Sequence, residues 1–279
     1  MGEGKKLRQI GLGVQLRELR EKSGMTTRSV ASSLGLSPAS VNRTELGQRL
    51  PGRDEMNALC ALYGVTGEQK LLLVQRATED STAWLEMASG EPDQLASLMT
   101  LEREASAITS VEIALIPGLA QTSDYSRRLI ATSDVTGQDP EHRVATRLSR
   151  QAVLSRPDPP RVTFLIDESA LHRTLGNVGV VKEQLEHLLV IQRRENVVVR
   201  VVPLSSAAHP ALDGAFSLYE LPDGSAHVYV EARYFGVFLT EPADVGPYIQ
   251  SRWDLEEHAL DEQSSRELIA EVMGRMSDE

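Results

Sequence analysis

Ala39, Ser40, Asn42 and Arg43 stand within five residues of one another, directly behind a Ser37-Pro38 pair. The chemistry open to them is recognition by hydrogen bonding rather than bond breaking. A guanidinium donates two parallel hydrogen bonds that match O6 and N7 of guanine, a carboxamide matches N6 and N7 of adenine, and an alanine methyl fits against the methyl of thymine. Constellations for other chemistries are missing. The chain holds neither the GxGxxG loop nor the P-loop sequence of nucleotide sites, and "EQLEHLL" sets Glu186 beside His187 without the second histidine of a zinc helix. His187 therefore reads as a surface histidine. There is no GxSxG elbow, and Ser205-Ser206 near His209 shows no paired base. Asp167 and Glu168 follow an apolar run and precede a helical one, where capping outranks acid-base work. Enzyme activity is not expected, and no cofactor or metal is expected.

Positioning the four residues requires short helices. Leu12, Leu16 and Leu19 recur at helical spacing, and Ser23-Gly24 ends that helix. Thr26 is a natural N-cap for a second helix that buries Val30, Ala31 and Leu34, with Gly35 supplying the left-handed stop. Ser37 caps a third helix with proline at its first position, where no backbone donor is lost. Val41 points inward, so Pro38, Ala39, Ser40, Asn42 and Arg43 face outward. Met56, Leu59, Cys60 and Tyr63 then form one apolar stripe of a fourth helix, which makes Cys60 a core residue. Two short helices about a glycine turn, the second small-sided and rich in hydrogen-bonding groups, form a unit that lays its second helix in the major groove.

Charge supports this placement. The 279 residues carry a net charge of -11, yet residues 1–53 hold ten Lys or Arg against four Asp or Glu, a balance of +6, which leaves -17 on the remainder. A basic module joined to an acidic body fits a chain that binds an anion at one end only. The length favours two cores over one. One cysteine allows no internal disulfide and no thiolate cluster. With no stretch near the roughly 20 apolar residues of a membrane helix, a soluble cytoplasmic protein without membrane partners is expected.

The segment "LRELREKSGMTTRSVASSLGLSPASVNRTELGQRLPG" resembles the lambda-repressor/Cro-like (XRE) helix-turn-helix family, over roughly residues 9–64. The resemblance implies an ion pair between Arg20, late in the first helix, and Glu45, at the end of the third. It further implies base contacts from Ser37, Ala39, Ser40, Asn42 and Arg43, and phosphate contacts from Thr27 and Arg28. Arg49 and Arg53 read either as backbone clamps or as plain surface cations. Thr44 departs from the family, which buries a larger aliphatic residue there, and this implies a recognition helix less tightly anchored than usual.

From Thr66 a helical pattern runs through residues 67–88 to a Gly90-Glu91-Pro92 break, and the expected domains are 1–80 and 81–279. Beyond it the expected order is a helix near 93–107, a strand, a Pro117-Gly118 turn, helices, the strand "VTFLID", a helix over 178–194 and the buried strand "VVVRVVPL". Hairpins with a turn at Pro222-Asp223-Gly224 come next, then two closing helices. The expected fold is an all-α helix-turn-helix bundle joined to a larger α+β domain with a mostly antiparallel sheet. "IPGLAQTSDYSRRL", "HPALDGAFSLYELP" and "VYVE" resemble the C-terminal domain of unknown function common in actinomycete XRE regulators, over roughly residues 85–273. Gln121, Thr122, Tyr125, His209, Asp213, Tyr229 and Glu231 are candidates for a ligand or partner site there, and serve equally well as caps and satisfied sheet edges. The two resemblances imply a transcriptional regulator that reads double-stranded DNA as a homodimer, with the acidic domain regulating it or binding a small partner protein. The alternative is an antitoxin-like module whose main act is binding that partner.

Overall fold

The computed structural model describes residues 3–78, 83–87, 91–132, 139–232 and 235–276. The chain divides into two compact units, Met1–Leu101 with Ala232–Glu241, and Glu102–Glu231 with Pro242–Glu279. No helix among the described residues is long and apolar enough to cross a membrane.

In the first unit five helices share one core. Helix α1 (Glu3–Lys22) ends at Gly24, whose φ of 70° is left-handed. Helix α2 (Thr27–Leu34) opens on a full capping box: the Ser29 N–H donates to the Thr26 hydroxyl at 3.1 Å, and the Thr26 N–H donates to the Ser29 hydroxyl at 3.0 Å. Each bond satisfies a backbone donor that the first turn leaves free. Helix α3 (Pro38–Glu45) starts the same way, its Ser40 N–H donating to the Ser37 hydroxyl at 3.1 Å. Helices α4 (Arg53–Leu62) and α5 (Gly67–Thr78) complete the bundle. Leu12, Leu16, Val30, Ala31, Val41, Met56, Leu59, Cys60 and Leu73 are all buried in one cluster. Burial raises the Cys60 thiol above its ordinary value, which keeps it protonated and inert.

What sets the attitude of α3 is its contact with α1. A β-carbon at Gly13 would lie 2.6 Å from the Thr44 carbonyl oxygen and 2.7 Å from that of Glu45; one at Gly47 would lie 2.5 Å from the Ile10 α-carbon. Backbone meets backbone at this crossing. Thr44 is 4% exposed and turns its hydroxyl back onto the Ser40 carbonyl at 3.1 Å. The close contact that a small Thr44 side chain does not make is made by backbone at two glycines. Beside the crossing, Arg20 grips Glu45 with two bonds, Nε to Oε1 at 2.7 Å and Nη2 to Oε2 at 3.0 Å, while Nη1 donates to the Met25 carbonyl at 2.9 Å. The two side chains are 11% and 7% exposed. The hydrogen bond to Glu45 raises the Arg20 pKa against the pull of burial. Tyr63 lies against the pair, its hydroxyl pushed up to about 12 by burial and then by the Glu45 charge.

The expected helix over 67–88 stops at Thr78, and residues 83–87 form strand β1, which pairs antiparallel with β7 (Phe235–Leu239). The short "AWLEM" run finds a ladder partner that lies far away in sequence, and this overrides its helical pattern. Gly90 of the expected break lies outside the described residues; Glu91 and Pro92 open helix α6 (Glu91–Glu104).

The second unit is built on strands β2 (Ala107–Glu112), β3 (Arg161–Asp167), β4 (Val197–Val202), β5 (Phe216–Glu220) and β6 (Ala226–Glu231), in the spatial order β6-β5-β2-β3-β4. β5 pairs antiparallel with β2 and with β6, whereas β2, β3 and β4 are mutually parallel. The β2–β3 and β3–β4 ladders are parallel and those of β5 antiparallel, so the sheet is mixed, with helical crossovers supplying the parallel part. These are α7 (Ser123–Ala131) and α8 (Pro140–Arg150) between β2 and β3, then α9 (Glu168–His172) and α10 (Val178–Ile191) between β3 and β4. Helices α11 (Pro242–His258) and α12 (Glu262–Arg275) follow.

Arg20→Ala removes one partner of a buried pair and is expected to cost about 3 kcal/mol, whereas Arg17→Ala, whose partner Glu21 is exposed, is expected to leave stability close to that of the parent chain. Hydrogen exchange of the α3 amides in the full chain measures both. Gly13→Ala is expected to cost about 1–3 kcal/mol through overpacking, while Gly52→Ala, with nothing within 4 Å of the added carbon, stays near neutral. Equal denaturation midpoints for these two variants would show that the crossing yields.

Candidate nucleic-acid interface

Outward from the α1–α3 crossing, Ser37, Pro38, Ala39, Asn42 and Arg43 are exposed, Ser40 is half-buried and Val41 is inside. At the start of α2, Arg28 is exposed and Thr27 half-buried. The residues expected at bases and phosphates therefore do share accessible positions on the start of α2 and on α3. Ser37 uses its oxygen as a cap acceptor, which leaves its hydroxyl proton available for donation. Leu46 adds to this surface. It caps α3, is 58% exposed, and follows Ala39, Asn42 and Arg43 at helical spacing.

Among the described residues of the first unit, two sets of arginines stand apart. Arg17 bonds Glu21, Arg20 bonds Glu45, and Arg76 donates to Gln15 at 3.0 Å. Arg49 belongs with them: its Nη1 donates to Glu55 at 2.9 Å and its Nη2 holds the other carboxylate oxygen. Its guanidinium is committed within the protein, unlike the backbone clamp that the sequence allowed. By contrast Arg28, Arg43 and Arg53 are exposed and form no ion pair with any described residue. They stand at the starts of α2 and α4 and on the outer face of α3.

In the second unit the seven candidate polar residues are not gathered into one place. Gln121, Thr122 and Tyr125 hold the chain around the Pro117-Gly118 turn. Gln121 donates to the Ile116 carbonyl at 2.8 Å and accepts from Ser126 and Arg147, each at 3.1 Å. Thr122 caps α7, and the Tyr125 hydroxyl accepts the Ile116 N–H at 3.1 Å. The wholly buried Gln184 accepts from the Thr122 N–H and donates to the Ala120 carbonyl, both at 2.7 Å. Sequence reading missed Gln184 because it lies among the leucines of α10 and 62 residues from its partner. His209 is elsewhere, with Nε2 3.4 Å from Asp167, whose other oxygen caps α9 through Ser169. Asp213 is exposed. His187 is half-buried rather than a surface group, and burial lowers its pKa.

Tyr229 and Glu231 belong to a different environment. Ser110, Ser217 and Tyr229 are direct neighbours across β2, β5 and β6, and Ile108, Tyr219 and His227 form the adjacent row on the same face. Glu112 and Glu231, two residues further along their strands, extend that face. Glu102 and Arg150 complete it from α6 and α8 with a bidentate pair, Nη2 to Oε1 at 2.6 Å and Nε to Oε2 at 3.2 Å. Burial raises the Tyr219 hydroxyl well beyond its ordinary value, aided by the Glu102 charge.

The helix-turn-helix domain family matches residues 11–73, which covers α2, α3, α4 and the ion pair between α1 and α3. The match supports DNA binding by the first unit. No curated protein matches the chain. A domain of unknown function, DUF5753, matches residues 95–271, nearly the whole second unit and more than half of the sequence. The chain belongs to the DUF5753 family and carries a helix-turn-helix domain ahead of that region.

Proposed function

We propose that this protein is a transcriptional regulator that reads a specific operator by placing α3 in the major groove of double-stranded DNA, as a homodimer. The observation that carries the reading is the sorting of cations. Every arginine that stitches helices together has an acidic or carbonyl partner, while Arg28, Arg43 and Arg53 project unpaired from the elements that a groove-bound α3 brings nearest to DNA. Exposed unpaired arginines repel one another and contribute little to the fold, whereas phosphates and guanine edges give them partners. Asn42 and Ala39 flank Arg43 with groups suited to adenine and thymine.

Dimerisation follows from information content. An eight-residue helix reads only a few base pairs, too few to single out one genomic site, so two heads are needed on two half-sites. The acidic remainder, with -17 of net charge, is repelled by the duplex, and holding the two copies together is its proposed task. It also regulates the head or binds a small partner protein in this reading, and the protein acts in the cytoplasm.

Arg43→Ala is expected to lower operator affinity by about 1–3 kcal/mol and to relax the preference at one base position. Arg28→Ala is expected to weaken all sequences alike and to reduce the salt slope by about 1. Affinity selection from random duplexes, followed by binding at several salt concentrations, checks both; unchanged preference in the Arg43 variant removes α3 from the groove. Footprinting is expected to protect two half-sites about one helical turn apart. A sedimenting monomer that protects a single short, non-palindromic site would overturn the dimer.

A further inference from the structure

Leu46 is out of character with the surface that holds it. The exposed positions of α3 carry Ala39, Asn42 and Arg43, and Leu46 continues their row at helical spacing, 58% exposed at the C-cap. A single exposed leucine is ordinary on most surfaces. Here the backbone on both sides of it is pinned. Glu45 is gripped by Arg20 at 2.7 and 3.0 Å, and Gly47 lies so close to α1 that a β-carbon there would stand 2.5 Å from the Ile10 α-carbon. The Leu46 N–H donates to the Asn42 carbonyl at 2.9 Å and the Gln48 N–H to the Arg43 carbonyl at 2.8 Å, so the turn after α3 is bonded back onto the helix. Thr44, Glu45 and Gly47 take the inward positions. The chain therefore presents an apolar side chain at a set place among hydrogen-bonding groups and forgoes its burial.

We propose that Leu46 reads the 5-methyl group of a thymine at the end of the base row that α3 faces. The inference rests on the operator reading above and adds a specificity-determining residue to it. The major groove offers hydrogen-bond donors and acceptors at every base pair but one kind of apolar group, the methyl of thymine. A leucine side chain neither donates nor accepts. Pressed against the polar edge of another base, it strips that edge of water and returns no bond. Against a thymine methyl it removes apolar surface of both partners from water. One side chain thus favours thymine and penalises its competitors. The exposed cations Arg28, Arg43 and Arg53 on the same helices make a duplex the charge-matched occupant of this face, in preference to an apolar protein surface. Leu46 lies about 4.5 Å of helix beyond Arg43, so its thymine falls within about two base pairs of the base that Arg43 reads.

The test uses the full chain and the duplex that it enriches from a random pool. Each thymine of that duplex is replaced in turn by deoxyuridine, which removes the methyl and leaves every hydrogen-bonding edge as it was. The parent chain is expected to lose about fourfold in affinity, the worth of one buried methyl, at a thymine within about two base pairs of the position that Arg43→Ala relaxes. Leu46→Ala is expected to bind the thymine and uracil duplexes equally at that position and to stop enriching thymine there, whereas Leu46→Met, which stays apolar, keeps the difference. A thymine that meets Ala39 keeps its difference in all three chains. Because the position is exposed, the variants are expected to share the parent's thermal midpoint. A Leu46→Ala chain that distinguishes thymine from uracil as the parent does, or a parent indifferent to uracil throughout, overturns the assignment and leaves the operator reading standing. A parent that enriches no sequence overturns both. A Leu46→Ala chain that sediments at a lower mass than the parent places the leucine in a contact between copies, which overturns the assignment as well.

Discussion

An eight-residue helix does not hold itself in place, because the cost of its first turn is recovered only through packing. α3 is held by a bidentate ion pair and by a crossing in which Gly13 and Gly47 let two backbones touch. Each device depends on the other. The glycines bring the end of α3 close enough for Arg20 to reach Glu45, and the pair fixes an angle that bare glycine contacts would leave free. A buried pair of this kind need add no net stability over an apolar contact. What it adds is direction: Arg20 also ties the Met25 carbonyl in the turn between α1 and α2, so one guanidinium sets three helices against each other. The groove-facing residues inherit their positions from it.

The second unit uses the same device where α6, α8 and β5 converge. Arg150 grips Glu102 in a buried bidentate pair, and although burial lowers the Arg150 pKa, the Glu102 charge outweighs it and leaves it raised. Around the Pro117-Gly118 turn the work passes to amides. Gln121 and Gln184 satisfy the Ile116 and Ala120 carbonyls and the Thr122 N–H, backbone groups that a turn pressed against the sheet would otherwise bury unpaired. Thr122 and Tyr125 complete the same cage. Polar residues that looked available for a ligand are consumed in holding an irregular segment inside the domain.

The first unit was legible because its signals are local. Thr26, Gly35, Ser37 and Pro38 each act within four residues, and the apolar positions repeat at helical spacing, so boundaries and facing directions followed from the sequence. Arg20 and Glu45, 25 residues apart, came from resemblance rather than spacing. Gly13 and Gly47 were silent, since a glycine in a helical run says nothing about which backbone approaches it. The same limit explains the second unit. Strand and helix order was readable from pattern and turn residues, but β3 and β4 run parallel to β2 because of which strands lie side by side, a long-range outcome. Residues 83–87 became a strand through a partner about 150 positions away, and no window around them contains it. Row neighbours such as Ser110, Ser217 and Tyr229 emerge only once register is known.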